Sequence, residues 1–376
     1  MGLAQVFDNL ELMGGALDGQ HAASIGSSSV PAASAKRLGQ AEELAATLQT
    51  MLRTPLTQPV HRTVWTLLDK VLNKALDYDA RILHPESFST LAERLDHAVL
   101  ATSCGVTRTA SFTAQQVGCL RLSARRGGCD LTSARTKGLF VHLAAASQYL
   151  PAVAQKLAAL GYEQSCVEGA IDLAGVDHCL SALERHSVHV RHDGGIVTGA
   201  PPSSRLAPSA LLWGQARKIH SPLLDALESF SEQALRDSFS GSKRDLARLW
   251  SCSGPVSSRW LTEFPASWWP AVLDDKFTMA LKFRLGLPVY PAGLQCAHAQ
   301  SKDPFAVCGK ALDISGDHAV CCNVGPYTSI RHSALNGILA QAGRDAGHAV
   351  LLEQVVPELG FKKSRRGGTE VWVEAV

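Results

Sequence analysis

The chain has 376 residues, 46% of them hydrophobic and 19% charged, with a formal net charge of +2. That length supports two or three domains at roughly 100–200 residues each, and the near-neutral balance excludes a strong global field, so any nucleic-acid surface has to come from local clusters. No apolar run reaches the ~20 residues of a membrane span, the N-terminus lacks the basic and apolar regions of a signal peptide, and the ten cysteines are mostly scattered singly, which together predict reduced thiols in an intracellular protein, nuclear or cytoplasmic, with no membrane association.

Residues 1–36 read as a flexible N-terminal segment: LELMGGALDG stops any early element at its glycine pair, and SIGSSSVPAAS is low-complexity loop. From Arg37 to Leu52, Leu38, Ala41, Leu44, Ala45, Leu48 and Leu52 recur at the three- and four-residue spacing of an amphipathic helix. Val60, Val64, Leu67, Leu68, Val71 and Leu72 repeat the pattern between Pro59 and Leu76. Further helices are expected over Glu86 to Leu100, over Gly138 to Leu160 with an interruption at Pro151, and over Val167 to Arg185. Residues 37–188 thus read as one helical domain. HVRHDGGIVTGAPPSSRLAPSA, residues 189–210, reads as a Gly/Pro/Ser linker. A second helical segment follows over 211–294, with helices from Leu211 to Phe239 and from Lys243 to Trp250.

The remaining residues, 295–376, carry the chemistry. In QCAHAQSKDPFAVCGKALDISGDHAVCC, thiolate and imidazole ligands of the kind Zn²⁺ takes in closed tetrahedral sites fall in order, with turn residues between them: Cys296, Cys308, His318 and Cys322. Gly309 is placed to let a backbone amide turn toward a metal-bound sulfur, and His318 and Cys322, four apart, share one face of a helical turn. His298 competes with Cys296 for the first position, and Cys321 with Cys322 for the last. The plainer reading is a set of buried, inert thiols with a capping histidine. Beyond the cluster, a helix is expected over Ser329 to Gly343, a strand over Ala349 to Val356, a basic turn in GFKKSRRGG, and a strand in TEVWVEAV, whose residues alternate apolar and polar. Lys362, Lys363, Arg365 and Arg366 in that turn are the candidates for gripping a phosphate backbone, RNA or DNA, without sequence preference. The fold class expected is mainly α, a helical domain followed by a small α+β, zinc-stapled C-terminal unit.

FTMALKFRLGLPV, the run Cys308-Gly-Lys-Ala-Leu-Asp, Gly316-Asp-His-Ala-Val-Cys-Cys and Arg331-His-Ser-Ala-Leu together resemble the C-terminal region of the reverse-transcriptase proteins of non-LTR retrotransposons. The resemblance implies a Cys/His zinc knuckle followed by the start of a restriction-enzyme-like endonuclease. It departs from the family at Phe305, where a first CxxC cysteine is expected, so that Cys296 or His298 has to substitute across a longer loop. For the nuclease, the resemblance assigns His332, Glu353 and Glu370 as remnants of a Mg²⁺ site, but the Pro-Asp step of the family is replaced by GGTE and the core is incomplete. The adjacent pair Asp274-Asp275 precedes a helix, where N-terminal capping accounts for it, so no polymerase site is expected. The functional expectation is a non-catalytic segment that binds zinc and nucleic acid. Alternatives are a helical protein-interaction module with a structural zinc, and a metal-dependent endonuclease remnant.

Overall fold

The computed structural model describes residues 30–54, 60–170, 173–191, 195–199, 206–213, 219–254, 257–262, 273–299, 307–324, 327–348, 350, 361–366 and 369–374. The chain is mainly helical and divides into two compact units, Met1–Leu287 and Pro288–Val376. The expected start of the flexible segment lies largely outside the described residues, and the first helix already begins at Ala32.

The first unit contains helices α1 (Ala32–Arg53), α2 (His61–Lys70), α3 (Asp79–Ile82), α4 (Pro85–Thr107), α5 (Ala114–Arg121), α6 (Ala134–Ala159), α7 (Gln164–Ala170) and α8 (Ala174–Glu184). Strands β1 (Val188–Val190) and β2 (Ile196–Thr198) follow, then α9 (His220–Ser238), α10 (Lys243–Ser251), α11 (Arg259–Thr262) and α12 (Asp274–Leu285). Of the apolar stripes read from spacing, Leu38, Ala41, Ala45 and Leu48 on α1 and Val64 and Leu68 on α2 are buried, whereas Leu44, Leu52 and Leu67 are half-buried and Val71 is exposed. They join one cluster that runs from Leu38 to Leu287, with Trp65 and Trp260 both edge-on to Phe277.

Three expectations are corrected here. Helix α6 is not interrupted at Pro151 but runs through it for 26 residues. The loss of one N–H there costs on the order of 3 kcal/mol, and α6 offsets it by burying Phe140, Leu143, Ala146, Leu150 and Leu157 against its neighbours. The helix expected over Val167 to Arg185 is two helices, α7 and α8. The linker expected over 189–210 instead contributes to the core. Strands β1 and β2 pair antiparallel, Leu206 N–H donates to the Val190 carbonyl at 2.9 Å, and Val188, Val190, Leu206 and Ala210 are buried. Helices α9, α10 and α12 place Leu223, Leu227, Leu249, Phe277 and Leu281 in that same cluster, so 37–188 and 211–287 form one unit.

Two polar arrangements hold distant parts of this unit together. The Asp274 carboxylate accepts the N–H groups of Val60 at 2.9 Å and His61 at 2.8 Å, capping α2 rather than its own helix, while Asp275 pairs with Arg108 at 2.9 Å. Arg284 is 3% exposed and has carbonyls as its recorded partners: Gly128, Ala124, Ser257 and Cys252, at 2.6–3.3 Å. One guanidinium thereby joins the Ala124–Gly128 and Cys252–Ser257 loops to α12. Gly128 lies against the Leu122 backbone so closely that an added Cβ would sit 2.0 Å from the Leu122 carbonyl oxygen, which excludes any side chain there.

The second unit holds α13 (Asp317–Cys321), α14 (Tyr327–Asp345), β3 (Phe361–Arg366) and β4 (Thr369–Glu374). Strands β3 and β4 pair antiparallel in the register Phe361 to Glu374 through Arg366 to Thr369. The basic segment expected as a turn is therefore strand β3. Gly367-Gly368 separates the strands in sequence, a dipeptide that two-residue hairpins favour. The strand expected over Ala349 to Val356 lies outside the described residues except for Val350.

Candidate metal centre

The cluster is assembled by local backbone pairing. Segments 294–299 and 307–312 run antiparallel, with bridges between Gln295 and Ala311 and between Ala299 and Val307. Cys296 N–H donates to Lys310 O at 2.8 Å, Cys308 N–H to His298 O at 2.8 Å, and Gly309 N–H to Cys296 O at 3.0 Å. Gly309 takes φ +66°, the left-handed conformation expected of it, but its amide meets the Cys296 carbonyl rather than a sulfur.

The other half is set by a turn that reverses at Gly316, φ +84°, and leads into α13. The Asp313 carboxylate accepts the N–H groups of Asp317 at 2.9 Å and His318 at 2.6 Å, fixing the first turn of the helix that carries His318. Burial pushes the Asp313 carboxyl up, and the donated N–H groups of His318 and Asp317 more than reverse it, holding it below its ordinary range. Sequence reasoning passed over Asp313. An acid just before the Ser-Gly-Asp turn is the local signal that marks it as a helix cap.

The ligand atoms of Cys296, Cys308, His318 and Cys322 all lie within 4.8 Å of one another. The Cys296 and Cys322 sulfurs are 3.7 Å apart, and Cys308 Sγ is 3.5 Å from His318 Nε2. A tetrahedral ion with Zn–S of about 2.3 Å and Zn–N of about 2.0 Å has S···S edges of about 3.8 Å and S···N edges of about 3.5 Å. The Cys296–Cys322 and Cys308–His318 separations match those edges and the remaining ones lie within 4.8 Å, so the four residues can hold one metal ion. Burial and the neighbouring sulfurs push the Cys296 thiol up, whereas the Val324 N–H holds Cys322 below the usual thiol range. Of the competing positions, Cys321 is exposed and His298 is not among the four converging groups.

The other sites expected from sequence are not brought together among the described residues. Lys362, Lys363, Arg365 and Arg366 all lie on β3. Glu370 lies on β4 opposite Arg365 in the register, and Glu353 is outside the described residues. His332 is on α14, exposed, with Nε2 at 2.9 Å from Asn336 Nδ2. A second group of basic residues lies between Arg121 and Lys137, and four of them are paired with acids elsewhere in the unit: Arg125 and Arg126 bind Asp225, Glu228 and Glu232, Arg121 meets Asp96, and Lys137 meets Asp77. His178 turns toward Glu86 and the ring of His84, while the adjacent Cys179 lies in the core, where burial raises its pKa to about 12. His189 is buried and bonded to the Gly199 carbonyl at 3.0 Å, while His186 stacks edge-on to Phe230.

In comparison with known proteins, the chain gives no significant match to a family model, a curated protein or a solved structure.

Proposed function

We propose that the chain binds single-stranded nucleic acid through its C-terminal unit, stapled by one structural Zn²⁺, and that it is the non-catalytic C-terminal segment of a retroelement reverse-transcriptase protein. The observation that carries the zinc reading is the convergence of three sulfurs and one imidazole nitrogen within 4.8 Å. Three thiolates and one imidazole suit Zn²⁺ better than oxygen-seeking cations, and four protein ligands leave no open position for a reactive water. Bound zinc would thus supply folding energy and loop closure. His318 would be oriented by the Asp313-capped turn, and Cys308 by its pairing across the loop. The order of the motifs around the cluster supports the retroelement reading. Ten cysteines, all free thiols and mostly scattered singly, support a reducing nuclear or cytoplasmic compartment.

Nucleic acid is held, in this reading, by β3. Each phosphate contact on a single strand contributes a slope of about 0.7 to the fall of log K with log salt, so two contacts contribute about 1.4 and four about 2.8. The test is a titration of a labelled single strand at several salt concentrations, using zinc-loaded wild type and the Lys362, Lys363, Arg365, Arg366 quadruple alanine variant. The variant is expected to bind all sequences more weakly with a flatter slope; coincident slopes would overturn the assignment. Under Mg²⁺ or Mn²⁺ neither primer extension nor DNA cleavage is expected, and cutting lost in Glu370→Ala would refute this.

One observation favours a second reading, a protein-interaction module with a structural zinc. Ile330, Leu335, Ile338 and Leu339 of α14 are all more than half exposed. Weak, salt-insensitive binding to RNA and DNA alike would select it.

A further inference from the structure

The four-ligand cluster is built asymmetrically. Cys296 and Cys322 are 2% and 3% exposed with sulfurs 3.7 Å apart, whereas Cys308 is half-buried and its sulfur faces His318 at 3.5 Å. A disulfide requires sulfurs at about 2.05 Å, a closure of less than 2 Å for the buried pair. The same two residues bracket the whole loop, so a bond between them would hold its ends together without metal. Cys308, by contrast, is half-buried, the least buried of the three converging cysteines.

On the zinc reading above, we infer that this site is a redox switch: a hydroperoxide converts the metal-held loop into one closed by a Cys296–Cys322 disulfide, with release of the metal and loss of nucleic-acid binding. The Cys308 thiolate attacks the peroxide O–O bond. A sulfenic acid forms and an alkoxide or hydroxide leaves. The Cys322 thiolate attacks that sulfur, displacing hydroxide and giving a Cys308–Cys322 disulfide. Cys296, adjacent to Cys322, then attacks the Cys322 sulfur and expels Cys308 as thiolate. In sum two thiolates lose two electrons to become one disulfide, and the hydroperoxide, taking up two protons, becomes an alcohol and water. Cys308 and His318 alone are left for the ion, too few for a closed tetrahedral site. Cys321, more exposed than any of the ligands, stays outside the exchange because the switch runs through the three converging sulfurs.

The full-length, zinc-loaded protein is treated with hydrogen peroxide, and released zinc, disulfide-linked peptides and single-strand affinity are followed together. One zinc is expected per Cys296–Cys322 linkage, with affinity falling at least ~10-fold and returning after thiol reductant and zinc are added. The Cys321→Ser protein is expected to respond at the wild-type rate. Zinc released without that linkage, or a response abolished in Cys321→Ser, overturns the switch. A protein that binds zinc and the strand yet forms no linkage refutes the switch alone. A protein that forms the linkage but never binds the strand refutes the nucleic-acid reading alone.

Discussion

The two units of the chain are stabilised by different physics. Up to Leu287 a single apolar cluster collects side chains from nearly every helix, and polar groups such as Asp274 and Arg284 tie its loops together. From Pro288 onward, among the described residues, the buried apolar side chains are those of Cys296, Cys322 and Ala340. Those described residues alone cannot offset the ~1–2 kcal/mol of backbone entropy lost per ordered residue. The first unit is an ordinary hydrophobic fold, and in the second a metal at the Cys/His cluster would add a cross-link that the first does not need. The comparison teaches that the same residue type serves opposite ends. Cys129, sealed in the first core with its pKa raised by burial to about 12, is inert filler, while half-buried Cys308 is one of four groups that can hold a metal ion.

The sharpest way to break this contrast is to remove the metal. Apparent zinc-binding energies of roughly 10–16 kcal/mol are folding energies in small metal-stapled domains, so chelation or Cys308→Ser is expected to abolish amide protection over 294–322 while leaving α1 to α12 protected. Hydrogen exchange reads both in one experiment, and loss in both units at once would refute the division. A metal-free protein still protected over 294–322 would refute the dependence itself.

Within the first unit, Arg284→Met takes both guanidinium donors from the Gly128 carbonyl and one donor each from Ala124, Ser257 and Cys252, which keep those of Gly127, Trp260 and Ser257 respectively. At about 1–3 kcal/mol for the one unsatisfied carbonyl plus smaller losses at the other three, partly offset by no longer burying a charge, the loss should be about 3 kcal/mol, measured by urea unfolding. Zinc content should not change.

Acid should also act on the first unit. Burial, with smaller contributions from the positive charges of His84 and His178, lowers the His142 pKa to about 4 from an ordinary 6.5, against an opposing contribution from the Leu83 backbone. The unfolded chain therefore takes up a proton below about 6.5 that the folded chain refuses until about 4. Stability falls across that window by about 3 kcal/mol in total at 1.36 kcal/mol per pH unit. Urea unfolding at pH 7.5 and 4.5 should show this loss in wild type, and it should shrink in His142→Gln.

The smallest expected effect concerns Asp313. Substituting alanine removes the cap of α13, costing about 1 kcal/mol, and lowers zinc affinity by roughly 10-fold by freeing His318, which competition with a chromophoric chelator would measure.

What could be read from the sequence was local. Helix spacing located α1, α2 and α4 because their apolar stripes follow the period of the helix itself, and the ligand order located the cluster because Cys and His have few other reasons to gather. What escaped was decided by partners far away in sequence. Pro151 argued for a break that the packing around α6 overrode. Three-residue strands such as β1 are too short to show alternation. Arg284, which with Lys282 is one of two charges in the run ALKFRLGL, reads as solvent-facing until the carbonyls that surround it are known. The basic residues at 362–366 drew attention as a turn because Gly367-Gly368 follows them, yet that pair also suits the end of a strand.

The cap that Asp274 places on α2 sets a schedule for the chain's synthesis. His61 is 213 residues ahead of the carboxylate that satisfies its amide. At 5–20 residues per second a ribosome takes about 10–40 s to cover that interval. Throughout it the first turn of α2 has no cap, and the pocket for Phe277 beside Trp65 lacks its ring. The N-terminal helices must therefore wait, partly assembled and with apolar surface showing, for the last helix of their own unit to leave the exit tunnel.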